Sequence, residues 1–233
     1  MHALDAGLAA ALRRLDGGAI ANAIETFDVR LRNEGFTDGR IRCLFEQQAP
    51  VVGQAVTARI RTSTPPPVGH NYVDRTDWWT YISTVPAPRI VVVQDVDDTV
   101  GRGALVGEVH ANILRALGCQ AYATNGAVRD LDRVSRTGLQ LFAGTVSVSH
   151  AYVHIVDFGG PVDVAGLTVQ SGDLLFGDCH GLQNIPPAVA AEIPTVAAEM
   201  QAHEQRVIDF CTSARFSIEG LRAIIGESRV HRT

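Results

Sequence analysis

The sequence predicts a mixed α/β fold, and three observations lead to that prediction. Residues 90–93 form a continuous β-branched run, which is typical of a strand buried on both faces. Apolar side chains then recur along one face of a helix at residues 109–117, and Gly118 is a natural helix stop. Beyond residue 139, short apolar runs are divided by glycine-containing turns, which indicates brief strands.

The remaining elements follow in order. Leucines at helical spacing in residues 4–15, and a second apolar stripe after Gly17-Gly18, predict a helical N-terminal segment. A strand is expected at residues 52–61, a proline-rich loop at 62–67 and a short helix with both tryptophans at 74–83. Brief strands are predicted within 139–143, 145–149, 162–169 and 173–176. Pro186-Pro187 is expected to open a helical stretch to about Cys211, with a kink or break at Pro194.

Domain organisation and composition limit the possible functions. No internal repeat or linker divides the 233 residues, so we expect a single domain at 1–233, with a core at about 51–186 and C-terminal helices at 187–226. A net charge of -5 gives no basic surface for nucleic acid. No apolar run reaches roughly 18 residues, which argues against a membrane span. The absence of a signal-peptide pattern and four widely spaced cysteines predict a cytoplasmic protein with reduced thiols.

A glycine-rich loop precedes the central helix. The N–H groups at the start of a helix form a ready anion site, and glycines at 101, 103 and 107 would let the backbone approach a ligand closely. Gly107-Glu108 would open that helix, and His110 in its first turn is a candidate substrate contact. The alternative is an ordinary capped loop between strand and helix.

Arg129-Asp130 follows an Asn125-Gly126 pair that predicts a turn. Arginine offers a fork of donors to a carboxylate, and aspartate can hold a hard divalent cation. The alternatives are a surface ion pair, or Asp130 as a helix N-cap. Both this turn and the glycine loop follow predicted strands, and ligands bind where the ends of parallel strands meet.

Other possible ligands are less promising. His150 and His154 would share the face of a strand but lie about 13 Å apart, too far for one ion. Asp178-Cys179-His180 is a compact group, yet on an extended segment at most two of the three side chains would converge. We expect a turn there, with one functional side chain at most.

The order of motifs resembles one family. The chain resembles the family of the regulator of ribonuclease activity A and the divalent-metal 4-hydroxy-4-methyl-2-oxoglutarate / 4-carboxy-4-hydroxy-2-oxoadipate aldolases. The resemblance lies in four motifs in this order: Gly-x-x-x-Gly-Glu, Asn-Gly-Ala-Val-Arg-Asp, Val-x-Val-x-Gly-x-x-Val-x-x-Gly-Asp-Leu and Gly-Asp-x-x-Gly. The resemblance covers about residues 51–186. It implies a layered β/β/α sandwich, similar to a swivelling domain, with helical N- and C-terminal segments. It also implies a homotrimer or homohexamer with active sites between subunits.

The resemblance also implies roles for single residues. Arg129 would grip the oxo-acid substrate and Asp130 would anchor Mg²⁺ or Mn²⁺. Glu108 would help activate a water, and Glu204 would come from a neighbouring subunit. The backbone amides that would hold the substrate carboxylate belong to Gly107, Glu108, Val109 and His110.

The chain departs from the family at three places. Asn125-Gly126 stands where Asp-Gly is common, Asp178-Cys179-His180-Gly stands where Asp-x-Asp-Gly is common, and residues 63–88 form a proline- and tryptophan-containing insert. The implied function is a metal-dependent pyruvate aldolase, with possible oxaloacetate decarboxylation. Two alternatives stay open: a non-catalytic regulator that inhibits a ribonuclease-type partner, and another enzyme class that uses His110 or His180 as acid or base.

Overall fold

The computed structural model describes residues 3–68 and 75–230 and contains one large mixed sheet with helices around it. The strands are β1 Arg42–Cys43, β2 Val51–Arg61, β3 Arg89–Asp95, β4 Ala104–Val106, β5 Cys119–Val128, β6 Gln140–Val146, β7 His154–Phe158, β8 Val162–Val164, β9 Leu167–Val169, β10 Leu174–Asp178 and β11 Gly181–Asn184. The helices are α1 Ala6–Leu12, α2 Gly17–Glu25, α3 Thr76–Thr84, α4 Glu108–Ala116, α5 Leu131–Ser135, α6 Ile193–Cys211 and α7 Ile218–Val230. None of the helices in these described ranges is long and apolar enough to cross a membrane.

The sheet has a parallel centre and antiparallel flanks. Its strand order is β1-β6-β5-β3-β2-β10-β11, with β4 also paired to β5 and β7 to β2. The pairs β2–β3, β3–β5, β5–β6 and β4–β5 are parallel, whereas β10 runs antiparallel to β2. Because parallel strands end at the same edge, the loops that follow β3 and β5 meet there.

Strand β3 lies at the centre of three layers. On one face, Val91 and Val93 pack in a cluster with residues of α3 and α4. On the other face, Ile90 and Val92 pack against the β8–β9 hairpin. All four side chains are at most 1% exposed, which is why the sequence is apolar at consecutive positions rather than at alternate ones. The predicted mixed α/β, β/β/α arrangement is confirmed.

The terminal helices pack together at the β10 side of the sheet. Apolar residues of α1, α2 and α6 form a cluster around Val52 and Phe176. Helix α6 begins at Ile193, so the prediction of a helix opening at Pro186-Pro187 was wrong. Pro194 sits in the first turn of α6 rather than at an internal kink, and the fixed φ of proline suits that position.

Three other local predictions have different outcomes in the structure. Asn125-Gly126 does not form a turn but lies inside β5, where the pairing with β6 shifts register between Thr124 and Ala127. The two short strands predicted within 139–149 are the single strand β6, which ends at Val146. The helix predicted at 74–83 is α3, while Asp74 lies outside the described residues.

Candidate active site

The chain leaves β5 through a two-residue turn at Arg129-Asp130. The Arg129 N–H donates to the Val106 carbonyl at 3.0 Å, which ties the turn to β4. Asp130 adopts left-handed backbone angles, φ 56° and ψ 38°, a conformation that aspartate tolerates better than most residues. It occupies the N-cap position of α5, yet its side chain makes no capping bond there. The carboxylate accepts instead from the Glu108 N–H, at 3.2 Å.

Gly107 brings the start of α4 against this turn. A Cβ built on Gly107 would lie 2.6 Å from Asp130 Oδ2 and 3.0 Å from Arg129 Nε, so a larger residue would displace both groups. The other two loop glycines, Gly101 and Gly103, make close contacts inside the protein. Gly101 packs against Thr145, and Gly103 packs against the His150 carbonyl, so they serve close packing within the protein.

Arg129 has unused donor capacity. Its Nε atom is 3.6 Å from Asp130 Oδ2, beyond hydrogen-bond length, and its side chain is 30% exposed. The Nε atom is buried and has no hydrogen-bond partner among the residues that the structure describes. A buried donor of this kind is costly unless something satisfies it, and functional sites are one place where such groups persist. The alternative of a surface ion pair is present in this 3.6 Å contact, but the pair leaves the Nε–H group without a hydrogen bond among the described residues.

Glu108 projects its carboxylate toward α5. It forms a 2.9 Å ion pair with Arg133, in which both side chains are well exposed. The hydrogen bond to Glu108 raises the pKa of Arg133. Sequence reasoning did not select Arg133, although its position three residues after Asp130 places it on the first turn of α5 beside the site. Exposed ion pairs are weak, so the Glu108 carboxylate can leave this partner at little cost.

The two residues after Glu108 differ in exposure. Val109 is 73% exposed at the start of α4, whereas His110 is buried. Burial lowers the pKa of His110 to about 4, although the contact between Nδ1 and the Leu105 carbonyl at 3.2 Å opposes that shift. The imidazole is therefore neutral at physiological pH and lies inside the protein, so any contact of His110 with a ligand at the helix start would use its backbone.

Two buried aspartates organise the loop before β4. Asp95, at the end of β3, accepts from the Gly101 N–H at 2.9 Å, and burial raises its pKa. Asp97 accepts from the Thr62 and Ser63 N–H groups at 2.6 and 2.8 Å. Burial raises the pKa of Asp97, but these hydrogen bonds outweigh it and the net shift is downward. Both carboxylates fix the loop that places Gly107 against the Arg129-Asp130 turn.

The other predicted residues lie elsewhere. Glu204 and Glu199 are exposed on α6, which packs on α1, α2 and α7, whereas α4 packs on α5, β4 and β5. His150 and His154 direct their Nδ1 atoms to different carbonyls, those of Ala104 and Tyr152. The structure thus brings together Gly107, the Glu108 backbone, Arg129 and Asp130, and it leaves Glu204 on a separate group of helices.

The sequence matches a known protein family. A family model described as RraA-like, Aldolase/RraA, matches residues 19–183. The chain belongs to the RraA-like family. A relative from Halalkalibacterium halodurans, named "Putative 4-hydroxy-4-methyl-2-oxoglutarate aldolase", is 25% identical over 120 residues, which are 51% of this chain and 57% of that protein. The chain therefore spans less than two thirds of that relative.

Two solved structures share the fold. An uncharacterized protein from Pseudomonas syringae pv. tomato superposes with a TM-score of 0.73 at 20% identity and covers 95% of each chain. RraAS2 of Streptomyces coelicolor, described as an unusual member of the RNase ES inhibitor RraA family, superposes with a TM-score of 0.69 at 20% identity, covering 88% of this chain and 97% of its own. The RraA-like family thus includes proteins named as aldolases and proteins named as ribonuclease inhibitors.

Proposed function

We propose that this RraA-like chain is a divalent-metal-dependent lyase that cleaves a C–C bond of a 4-hydroxy-2-oxo acid and releases pyruvate. The observation that carries the proposal is the buried Nε of Arg129, which has no hydrogen-bond partner among the described residues and lies beside the Asp130 carboxylate and the first turn of α4. A positive fork, a carboxylate and a helix N-terminus together suit a small substrate that bears a carboxylate and a keto oxygen.

The turn also fits the cation that the family implies. Asp130 offers only oxygen, does not cap α5, and has one oxygen atom that accepts the Glu108 N–H, which leaves further lone pairs. Mg²⁺ and Mn²⁺ prefer such ligands and keep most of their waters. When bound, the ion would supply a Lewis acid that polarises the substrate carbonyl.

The chain's own residues bind the substrate and move the proton. Arg129 binds the oxo acid through its planar donors, and the N–H groups at the start of α4 hold the carboxylate. Cleavage removes the proton of the 4-hydroxyl group, breaks the C3–C4 bond and returns a proton to C3. Glu108 carries that proton through a water once its carboxylate leaves Arg133. Decarboxylation of oxaloacetate requires the same binding of the oxo acid by Arg129 and the N–H groups of α4, so the site would also support that reaction.

A pyruvate-release assay tests the proposal. Protein stripped with EDTA should release no pyruvate from 4-hydroxy-4-methyl-2-oxoglutarate, 4-carboxy-4-hydroxy-2-oxoadipate or oxaloacetate, and added Mg²⁺ or Mn²⁺ should restore turnover. Arg129→Lys keeps the charge but loses the fork, so kcat/KM should fall at least about tenfold, equivalent to about 1.4 kcal/mol. Arg59→Lys, in the exposed ion pair with Asp157, is the matched control.

Two results would contradict the proposal: full turnover after exhaustive chelation, or an Arg129→Lys variant as active as the control. A non-catalytic regulator that binds a ribonuclease-type partner would release no pyruvate from any of these acids with either metal.

A further inference from the structure

The hairpin formed by β10 and β11 carries a second group of possible metal ligands. The turn predicted at Asp178, Cys179 and His180 is confirmed, but the prediction that at most two of the three side chains converge was wrong. Only Asp178 belongs to a strand, while Cys179 and His180 form the turn. Gly181 follows with φ of 134°, and a Cβ there would lie 2.7 Å from Thr37 Oγ1, so the turn depends on glycine. One ligand atom from each of the three residues lies within 4.8 Å of the others.

Two of the three distances between these atoms match the edges of a tetrahedral site. Cys179 Sγ is 3.5 Å from His180 Nδ1, and His180 Nδ1 is 3.2 Å from both oxygens of Asp178. Zinc bonds of roughly 2.3 Å to sulfur and 2.0–2.1 Å to nitrogen or oxygen, at a tetrahedral angle, give edges of about 3.5 Å for S–N and about 3.3 Å for N–O. The third distance, from Cys179 Sγ to the Asp178 carboxylate, is within 4.8 Å, so a shift of at most about 1.3 Å brings all three atoms to the edges expected around one cation.

A nucleophilic triad does not explain the group. In such a triad the imidazole faces the nucleophile with one nitrogen and the carboxylate with the other. Here the Cys179 thiol and the Asp178 carboxylate both contact Nδ1 of His180. In one tautomer Nδ1 carries a proton and can donate to the carboxylate, and in the other it can accept from the thiol, so it cannot serve both groups in those roles at once. Convergence of a sulfur, a nitrogen and an oxygen on one point suits a cation.

The carboxylate is held in place before any ion binds. Asp178 has a side chain only 7% exposed, and it accepts from the Gly17 N–H at 2.7 Å and from the His180 N–H at 2.9 Å. An ionised carboxylate has about four lone-pair positions, so two remain for other contacts. Cys179 and His180 are exposed, and Asp178 and His180 line a pocket of about 350 Å³ that gives an ion access.

The group is remote from the proposed active site. Strand β10 runs antiparallel to β2, and Gly177, next to Asp178, pairs with Val51 at the start of β2. Strand β2 is parallel to β3, and β3 is parallel to β5. Asp178 therefore lies at the edge of the sheet where the parallel strands begin, whereas Arg129-Asp130 follows the edge where they end.

We propose that Asp178, Cys179 and His180 form a second metal site, selective for a thiolate-binding d-block cation such as Zn²⁺. Mixed sulfur and nitrogen ligands favour such ions over Mg²⁺ or Mn²⁺, which the oxygen-only Asp130 suits. With three protein ligands, a fourth coordination position is left for water on the side of the pocket.

Cobalt substitution tests the site by a readout independent of activity. Metal-free full-length protein titrated with Co²⁺ should develop a near-ultraviolet thiolate-to-cobalt band that saturates at one ion per chain, and Zn²⁺ should abolish the band while excess Mg²⁺ should not. Cys179→Ser should remove the band, and His180→Ala should weaken Co²⁺ binding at least about tenfold. Asp178 is left unchanged because it also holds the Gly17 N–H.

Two variants serve as controls. Cys211→Ser changes another exposed thiol, and Asp130→Asn removes the carboxylate of the proposed active site; neither should alter the band. The proposal is overturned if wild-type protein gives no band, if Cys179→Ser keeps it, if His180→Ala binds Co²⁺ as tightly as wild type, or if Mg²⁺ displaces the ion. Circular dichroism of each variant checks that the turn substitutions leave the fold intact.

Discussion

Adding one methyl group at Gly107 should separate activity from folding. The backbone at Gly107 is extended, with φ of -133°, so alanine is conformationally acceptable there. The new Cβ would lie 2.6 Å from Asp130 Oδ2, while ordinary contact begins at 3.4 Å, so the carboxylate must move by about 0.8 Å. It can do so because the Asp130 side chain is 35% exposed. We therefore expect a loss of unfolding free energy below about 1 kcal/mol, similar to other Gly-to-Ala changes at N-caps.

Catalysis should be far more sensitive than stability to the same shift. Misplacing a reacting group by about 1 Å can cost on the order of 10²-fold in rate. Gly107→Ala should therefore lower kcat/KM for pyruvate release by between about 10-fold and 10²-fold while its urea midpoint stays near that of wild type. Gly160→Ala is the control, because a Cβ at that exposed glycine meets nothing within 4 Å. An active Gly107→Ala variant would refute the view that Asp130 and Arg129 must keep their present positions.

Two further predictions rest on burial and a third on the family resemblance. The pKa of His110 is about 4 in the folded protein and near 6.5 in the unfolded chain, so its neutral imidazole contributes fully to the free energy of unfolding above pH 6.5 and loses that contribution toward pH 4. Between pH 7.5 and pH 5, the free energy of unfolding should therefore fall by about 2 kcal/mol more for wild type than for His110→Gln. Urea denaturation at the two pH values measures this difference. Trp78 is 1% exposed, whereas Trp79 is only partly buried. In chemical denaturation, Trp78→Ala should lower the free energy of unfolding by about 3–5 kcal/mol and Trp79→Ala by clearly less, and equal losses would contradict this packing. If two subunits share the site, Asp130→Asn and Glu204→Ala proteins should each be inactive, and a mixture that has exchanged subunits should regain some turnover. One of the mixed interfaces then contains an intact Asp130 from one chain and an intact Glu204 from the other. A fully active Glu204→Ala variant would show that Glu204 is not part of the site.

The parts of the fold that were predicted from the sequence are those governed by local pattern. Strand β3 was recognised because both of its faces are buried, and the end of α4 because Gly118 takes a positive φ of 74°. The Asn125-Gly126 turn was a wrong prediction because tertiary pairing overrides the turn preference. The Asn125 side chain donates to the Asp95 carbonyl at 2.9 Å and accepts from the Asp95 N–H at 2.7 Å, which links it to β3 as part of the sheet.

The sequence predicted those parts of the site that depend on the order of strands and loops along the chain. Gly107, Arg129 and Asp130 were selected because each follows a predicted strand, and they do meet. The pairing of Glu108 with Arg133 and the convergence of the Asp178 group were not predicted, because both depend on where a turn points its side chains. Neither hydrophobic periodicity nor residue spacing carries that information.

The left-handed backbone at Asp130 has an evolutionary consequence. Only glycine, asparagine and aspartate occupy that conformation at low cost, and the codons of aspartate differ from those of asparagine and of glycine by a single base. One nucleotide substitution can therefore remove the carboxylate without straining the turn. A lineage with this fold could lose the proposed metal ligand in one mutational step and keep a stable protein, free to be selected for binding alone.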